Sequence, residues 1–200
     1  MKKIIGTMAL LTSLFVFAHA QEDSGKKKYK EIKISLQSNA INVSTDELWQ
    51  ILGPGFEKAG EWSRAVDHSE GIGQAQFKGA TCDTRACDIN AKGFNKVTER
   101  LTYYDSEKQS LTYDIIEGTP GFVISTSSHW QVVSLDQNKA ALQMTVTIQS
   151  KKFMGSLMGK SFKKSIMRLI PGVFEDLTIY AETGQISEAK KTRMAKLAKN

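Results

Sequence analysis

The sequence predicts an α+β fold in which a curved antiparallel sheet of five to seven strands wraps a long C-terminal helix. Two patterns support this prediction. The middle of the chain alternates apolar and polar residues in twos, as strands with one buried face do. Residues 154–183 instead carry apolar side chains at helical spacing, with lysines opposite. The 200 residues are 40% hydrophobic, which is enough for the core of a single domain.

Four segments show the alternation clearly. Their apolar residues are Ile32, Ile34 and Leu36; Val97, Leu101 and Tyr103; Leu111, Tyr113 and Ile115; and Leu142, Met144, Val146 and Ile148. Short polar turns at 104–108, 118–121 and 136–139 separate the later segments, and residues 123–135 fill the remaining gap as a further strand. Consecutive strands joined by short turns predict an antiparallel meander.

Helices are predicted before and after this meander. Ser44 is placed to cap a short helix, with Glu47 at the capping-box position, and residues 56–62 suit a second short helix. The long helix covers residues 154–183. Pro171 and Gly172 lie inside it, which predicts a kink or a break there.

Residues 1–20 have the layout of a secretory signal peptide. Two lysines precede an apolar run over residues 4–17, and Ala18-His19-Ala20 is a small-x-small cleavage pattern. The alternative is an uncleaved anchor, although the apolar run is shorter than the ~20 residues that a membrane span needs. We therefore expect export to the periplasm or the extracellular space. The predicted organisation is a signal peptide at 1–20, a basic segment at 21–30, a folded domain at 31–184 and a basic, frayed tail at 185–200.

The positive charge is concentrated at the two ends of the chain. Loss of the signal peptide lowers the formal charge from +6 to +4, and residues 31–187 carry 16 basic and 18 acidic residues. Nucleic-acid-binding domains usually carry a basic face on the fold itself, so this balance argues against a nucleic-acid partner. No further apolar stretch is long enough to span a membrane. Weak contact of the basic ends with an anionic membrane surface stays open as an alternative.

The order of these motifs resembles the START/Bet v 1-like (SRPBCC) helix-grip superfamily, in particular its bacterial polyketide cyclase/dehydrase-like members. The resemblance rests on residues 44–52 with Phe56 and Trp62, on 84–87, on 97–105 with 111–113, and on the C-terminal helix. It implies a hydrophobic cavity between the sheet and the long helix that holds a lipid-like or polyketide-like molecule. Some members are enzymes and others only bind or carry ligands, and the resemblance carries over no catalytic set.

Candidate ligand-binding residues follow from the predicted buried face and the long helix. They are Glu99, Leu101, Tyr103, Tyr113, Trp130, Met144, Met158 and Phe162. Glu99 is the most informative, because a carboxylate among apolar neighbours is costly unless it is paired or protonated. It is either a polar anchor or acid/base for a ligand, or it bonds a neighbouring backbone group or an arginine. For the aromatic and methionine residues, ordinary core packing is the alternative.

Other reactive residues give weaker patterns. His129 follows Ser128, but adjacent strand residues point to opposite faces and no Gly-x-Ser-x-Gly elbow is present. No spacing indicates a bound metal or a dinucleotide. Cys82 and Cys87 could form one disulfide in an oxidising compartment if the chain turns between them; otherwise they are packed thiols.

These observations favour an exported protein that binds a hydrophobic small molecule in the sheet–helix cavity, with no cofactor or metal assigned. The alternative is a cyclase/dehydratase- or hydrolase-type enzyme that uses Glu99 or His129 as an acid/base in the same cavity.

Overall fold

Within the described part of the chain, seven antiparallel strands form one sheet. The computed structural model describes residues 28–91 and 94–199, apart from the side chains of Ala91, Phe94, Met154 and Met158. The predicted signal peptide and most of the predicted basic segment 21–30 lie outside the described residues. The strands are β1 Tyr29–Gln37, β2 Val66–Ile72, β3 Thr84–Ala91, β4 Phe94–Asp105, β5 Ser110–Glu117, β6 Val123–Asp136 and β7 Lys139–Lys151.

The sheet is a meander from β2 to β7, and β1 closes it by pairing with β7. Register shifts interrupt four of the strand pairs, β2–β3, β3–β4, β4–β5 and β6–β7. An extra residue on one strand bends that strand and increases its twist. The repeated irregularities therefore curve the sheet and leave it with a concave side, as the strand pattern predicted.

The short helices lie between β1 and β2. Helix α1, Thr45–Leu52, begins at Ser44, whose hydroxyl accepts from the Glu47 amide while Glu47 accepts from the Ser44 amide. This confirms the predicted capping box. The predicted second helix is a 3₁₀ turn, Phe56–Lys58, followed by α2, Ala59–Trp62. Buried Leu48, Leu52, Phe56 and Trp62 bring these helices onto the core.

The long helix α3 spans Lys152–Thr183 without a break and lies across the sheet. Of the kink or break predicted at Pro171, the break is wrong, because loss of one backbone donor does not interrupt a helix whose C-terminal half is held by packing. Ile170, Val173, Phe174 and Leu177 provide that packing around Pro171. Gly184 ends the helix in the left-handed conformation, with φ of 68°.

The C-terminal basic segment is not frayed. Helix α4, Glu188–Leu197, follows the Ser187 cap and packs beside the start of β2. The Lys190 ammonium donates to the Val66 carbonyl at 2.6 Å, and Arg193 pairs with Asp67. Sequence periodicity missed this arrangement because polar groups, rather than an apolar stripe, anchor α4. None of the helices in the described residues is long and apolar enough to cross a membrane.

Candidate ligand-binding cavity

A cavity of about 180 Å³ lies between the concave side of the sheet and α3. Its floor consists of alternate residues from five neighbouring strands, because side chains two positions apart share a face. Helices α2 and α3 close the remaining sides. The floor residues are Arg85 and Ile89; Val97 and Glu99; Tyr113 and Ile115; Thr126, Ser128 and Trp130; and Met144, Val146 and Ile148.

The helical wall is apolar. From α3 it receives Phe162, Ile166, Leu169, Ile170 and Val173, which recur every three or four residues and so share one face of the helix. Helix α2 adds Ala59 and Trp62. A space lined this way favours an apolar occupant, because each Å² of apolar surface removed from water contributes about 25 cal/mol.

An aromatic cluster forms one end of the cavity. The Tyr113 ring lies 5.6 Å from that of Phe56 and 5.6 Å from that of Trp130, the latter edge-on. The Trp130 indole nitrogen donates to the Ser128 hydroxyl at 2.9 Å. Edge-on and tilted ring pairs at these distances are favourable and geometrically specific, so these contacts stabilise this end of the cavity.

A buried ion pair forms the polar part of the wall. Arg85 on β3 donates from Nε to the Glu99 carboxylate on the paired position of β4, and from Nη1 to the Phe56 carbonyl. The two side chains are only 4% and 6% exposed. The guanidinium also stacks on the Phe56 ring, 3.9 Å from its centre. Glu99 therefore has the arginine partner that its position on the buried face requires.

The pair and its surroundings influence one another electrostatically. Burial by itself lowers the pKa of Arg85, but the attractions of Glu99, Cys87 and Tyr113 together outweigh burial and the pKa is raised, so Arg85 remains charged. Burial raises the pKa of Tyr113, and the Glu99 charge adds to that effect. Burial likewise raises the pKa of the Cys87 thiol to about 12. That thiol contacts the Glu99 carboxylate at 3.7 Å.

Thr126 is the exception to the otherwise satisfied polar groups of the wall. Its side chain is buried, and its Oγ1 has no hydrogen-bond partner among the described residues. Thr126 lines the same cavity as Glu99 and Ile115. A buried hydroxyl without a partner costs about 1–3 kcal/mol.

Five of the eight predicted ligand-binding residues line the cavity, namely Glu99, Tyr113, Trp130, Met144 and Phe162. Leu101 is buried in the core beyond the cavity wall. The side chain of Met158 lies outside the described residues. The placement of Tyr103 was wrong: it is exposed and its hydroxyl donates to Asp105, because a register shift between Leu101 and Tyr103 reverses the alternation.

His129 and the cysteines do not form the sites considered for them. His129 lies on the outer face of the sheet, where its Nδ1 is 2.9 Å from the Thr112 hydroxyl, so it cannot serve as an acid/base in the cavity. Cys82 and Cys87 are both buried free thiols rather than a disulfide. They pack into two different hydrophobic clusters, Cys82 in the main core and Cys87 in a smaller one with Val97.

Arg85 is the site residue that the sequence reasoning missed. Arg85 lies two positions before Cys87 on β3, so the two side chains share the buried face. A second charged residue on a predicted buried face, of sign opposite to Glu99, was the available signal. The β3–β4 pairing sets Arg85 opposite Glu99, 14 residues along the chain, and the register of that pairing was not deducible from spacing alone.

Comparisons with known proteins agree with this geometry. Residues 34–170 match the family described as polyketide cyclase / dehydrase and lipid transport. A comparison with curated proteins gave no match.

Solved structures with the same fold cover most of this chain at low identity. Norcoclaurine synthase from Thalictrum flavum, in complex with dopamine and hydroxybenzaldehyde, is 14% identical, with 87% of this chain and 97% of that chain covered and a TM-score of 0.59. The Zhui aromatase/cyclase from Streptomyces sp. R1128 is 12% identical over 79% and 100% of the two chains, with a TM-score of 0.62. A START superfamily protein from Mycobacterium smegmatis is 12% identical over 74% of this chain and 98% of that chain, with a TM-score of 0.51.

With a seven-stranded curved sheet closed by a long C-terminal helix and a family match over most of the folded domain, the chain belongs to the polyketide cyclase/dehydrase and lipid-transport family.

Proposed function

We propose that the protein binds a small hydrophobic molecule in the cavity between the sheet and α3. The observation that carries the proposal is the cavity itself, an apolar space of about 180 Å³ inside the protein. Interiors normally pack with few voids larger than a water molecule. The family match supports the same class of function.

The volume limits the ligand. An engineered apolar cavity of about 150 Å³ holds a benzene molecule, so the cavity as it stands suits a single ring or a chain of similar size. A lipid or a polyketide of several rings requires the α3 wall to move outwards. The Arg85–Glu99 pair and the Ser128 hydroxyl offer such a ligand polar contacts at the aromatic end.

A titration with toluene tests the proposal on residues 21–200, which retain every described residue. Binding to the native state alone raises the melting temperature with ligand concentration. Val146→Phe fills the cavity floor and should abolish the rise. Val133→Phe is the matched control, because Val133 follows buried Val132 and so faces the outer side of the sheet. A melting temperature that toluene leaves unchanged in wild type, or raises equally in Val146→Phe, contradicts the proposal.

The native ligand is sought separately. Protein purified from its own host is extracted with organic solvent, and the extract is compared by mass spectrometry with that from Val146→Phe. A small apolar compound present only in the wild-type extract supports the proposal. Identical extracts argue that the cavity is empty in the cell.

An enzyme is the second candidate, and the dry Arg85–Glu99 pair favours it. Buried ion pairs are weak contributors to stability, and the Glu99 carboxylate lines the cavity. Glu99 would act as the acid/base on the bound molecule. Glu99→Gln would then still bind the extracted compound but no longer convert it, whereas equal conversion by both proteins would dismiss this role.

Export is also part of the proposal. The charged start, apolar run and Ala18-His19-Ala20 pattern of residues 1–20 support it. N-terminal sequencing of the protein recovered from the periplasm or the medium should begin at Gln21. A chain that keeps Met1 and stays with the cells would contradict cleavage and export.

A further inference from the structure

The N-terminal half of α3 presents exposed apolar residues together with unpaired positive charge. Phe153 is 76% exposed and Leu157, one turn later, is 66% exposed. Residues 151–168 contain six basic residues and no acidic one. All six are exposed, and within the described residues none forms an ion pair. They are Lys151, Lys152, Lys160, Lys163, Lys164 and Arg168.

Both exposed apolar residues and two of the lysines lie on the side of α3 that faces away from the sheet. Gly155 and Gly159 face the sheet, since a Cβ on Gly155 would lie 2.2 Å from Ser150 Oγ and one on Gly159 3.2 Å from Ile32 Cδ1. At 100° per residue, Phe153 and Leu157 point about 160° away from Gly155, and Lys160 and Lys164 point about 140° and 180° away from it. The outward stripe, called the α3 docking face below, therefore consists of Phe153, Leu157, Lys160 and Lys164.

The charge around this face extends beyond the helix. Tyr29 pairs with Lys151, so the start of β1 adds Lys28 and Lys30 to the same end of the sheet. Glu31, which accepts from Gln149, subtracts one charge. The C-terminal basic segment is different, because Lys190, Lys191 and Arg193 already bond Val66, Glu188 and Asp67.

We propose that the α3 docking face binds the surface of an anionic lipid membrane. Phe153 and Leu157 would enter the interface, and the lysines would contact the anionic headgroups. The geometry agrees, because a helix that lies in the plane of the interface buries its apolar side chains to a depth of about 5–10 Å, and Phe153 and Leu157 lie on the same side of α3 as Lys160 and Lys164. Each lysine near such a surface strengthens binding about five-fold.

Other occupants fit less well. A second copy of the chain would bring two surfaces of the same strong positive charge together. A nucleic acid would satisfy the lysines but leave Phe153 and Leu157 in water. The membrane accounts for both halves of the face. Its docking is independent of whether the cavity holds a ligand, although Phe162 and Ile166 of the same helix line that cavity.

Vesicle co-sedimentation tests the proposal with residues 21–200. The protein should bind vesicles of 70% phosphatidylcholine and 30% phosphatidylglycerol in 0.1 M NaCl, and binding should fall steeply at 1 M NaCl, where charges are screened within about 3 Å. Vesicles of phosphatidylcholine alone should bind poorly. Lys160→Gln with Lys164→Gln should weaken partitioning about 25-fold, and Phe153→Ser with Leu157→Ser at least about ten-fold.

Two matched controls locate the effect. Leu135→Ser removes an exposed leucine at the far end of β6, and Lys191→Gln with Lys196→Gln removes two charges from α4. Both should bind within two-fold of wild type, and all variants should melt close to wild type because the changed residues are exposed. The proposal is overturned by no binding, by equal binding to neutral vesicles, by equal losses in the α4 variant, or by a duplex DNA that binds when anionic vesicles do not.

Discussion

Replacing Glu99 by Gln tests whether water is excluded from the Arg85–Glu99 ion pair. The change preserves shape but leaves the buried Arg85 charge without a counter-ion. Removal of one partner of a buried pair costs about 3–5 kcal/mol. With a urea dependence of ~2 kcal/mol/M, the unfolding midpoint should fall by about 2 M.

A matched control lies on the same two strands. Lys96 and Asp88 form an ion pair between β4 and β3 at 3.4 Å, but their side chains are 85% and 43% exposed. Exposed pairs contribute about 0–1 kcal/mol, so Asp88→Asn should move the midpoint by at most about 0.5 M. A Glu99→Gln midpoint no lower than that of Asp88→Asn would refute the reasoning and mean that water reaches the pair.

The double replacement Arg85→Met with Glu99→Leu separates stability from function. It removes both buried charges, and hydrophobic replacement of such pairs is neutral or stabilising by about 1–4 kcal/mol. The Phe56 carbonyl loses its donor, which costs about 1–3 kcal/mol. Stability should therefore lie within about 3 kcal/mol of wild type. A stable double variant that no longer carries the extracted compound would show that the pair serves the ligand rather than the fold.

Three further substitutions or treatments test neighbouring features by urea unfolding. Thr126→Val should stabilise by about 1 kcal/mol, because the lost hydroxyl has no partner; a loss of stability would reveal a bonded water or ligand. Asp176→Asn should cost about 3–5 kcal/mol, because buried Asp176 accepts from the Arg64 amide and guanidinium and from Ser187; a cost below about 1 kcal/mol would show that this junction of α3 and α4 is solvated. Burial raises the pKa of Cys87 from 9.0 to about 12, so the unfolded chain releases this proton first and stability should fall as pH rises from 9 towards 12. Cys87→Ala should flatten that fall; an unchanged slope would assign it to other groups.

How far the sequence predicts the site can be judged from Glu99 and Tyr103. Both lie on one apolar alternation of β4, and the same reasoning placed both in the cavity. It succeeded for Glu99 and failed for Tyr103, because a bulge after Leu101 reverses the face of the sheet to which the following side chains point. A bulge depends on pairing with β5, and alternation along one strand does not record it.

The order of elements, the Ser44 capping box, the strand meander and the long final helix follow from local patterns, because caps and amphipathic periods act over one to four residues. The tertiary structure decided which groups meet. It paired Arg85 with Glu99, separated the two thiols, held α4 through Lys190 and Arg193, and turned Phe153 and Leu157 outwards. These outcomes depend on contacts between residues far apart in the chain, whose energies exist only once the sheet has curved and α3 has packed against it.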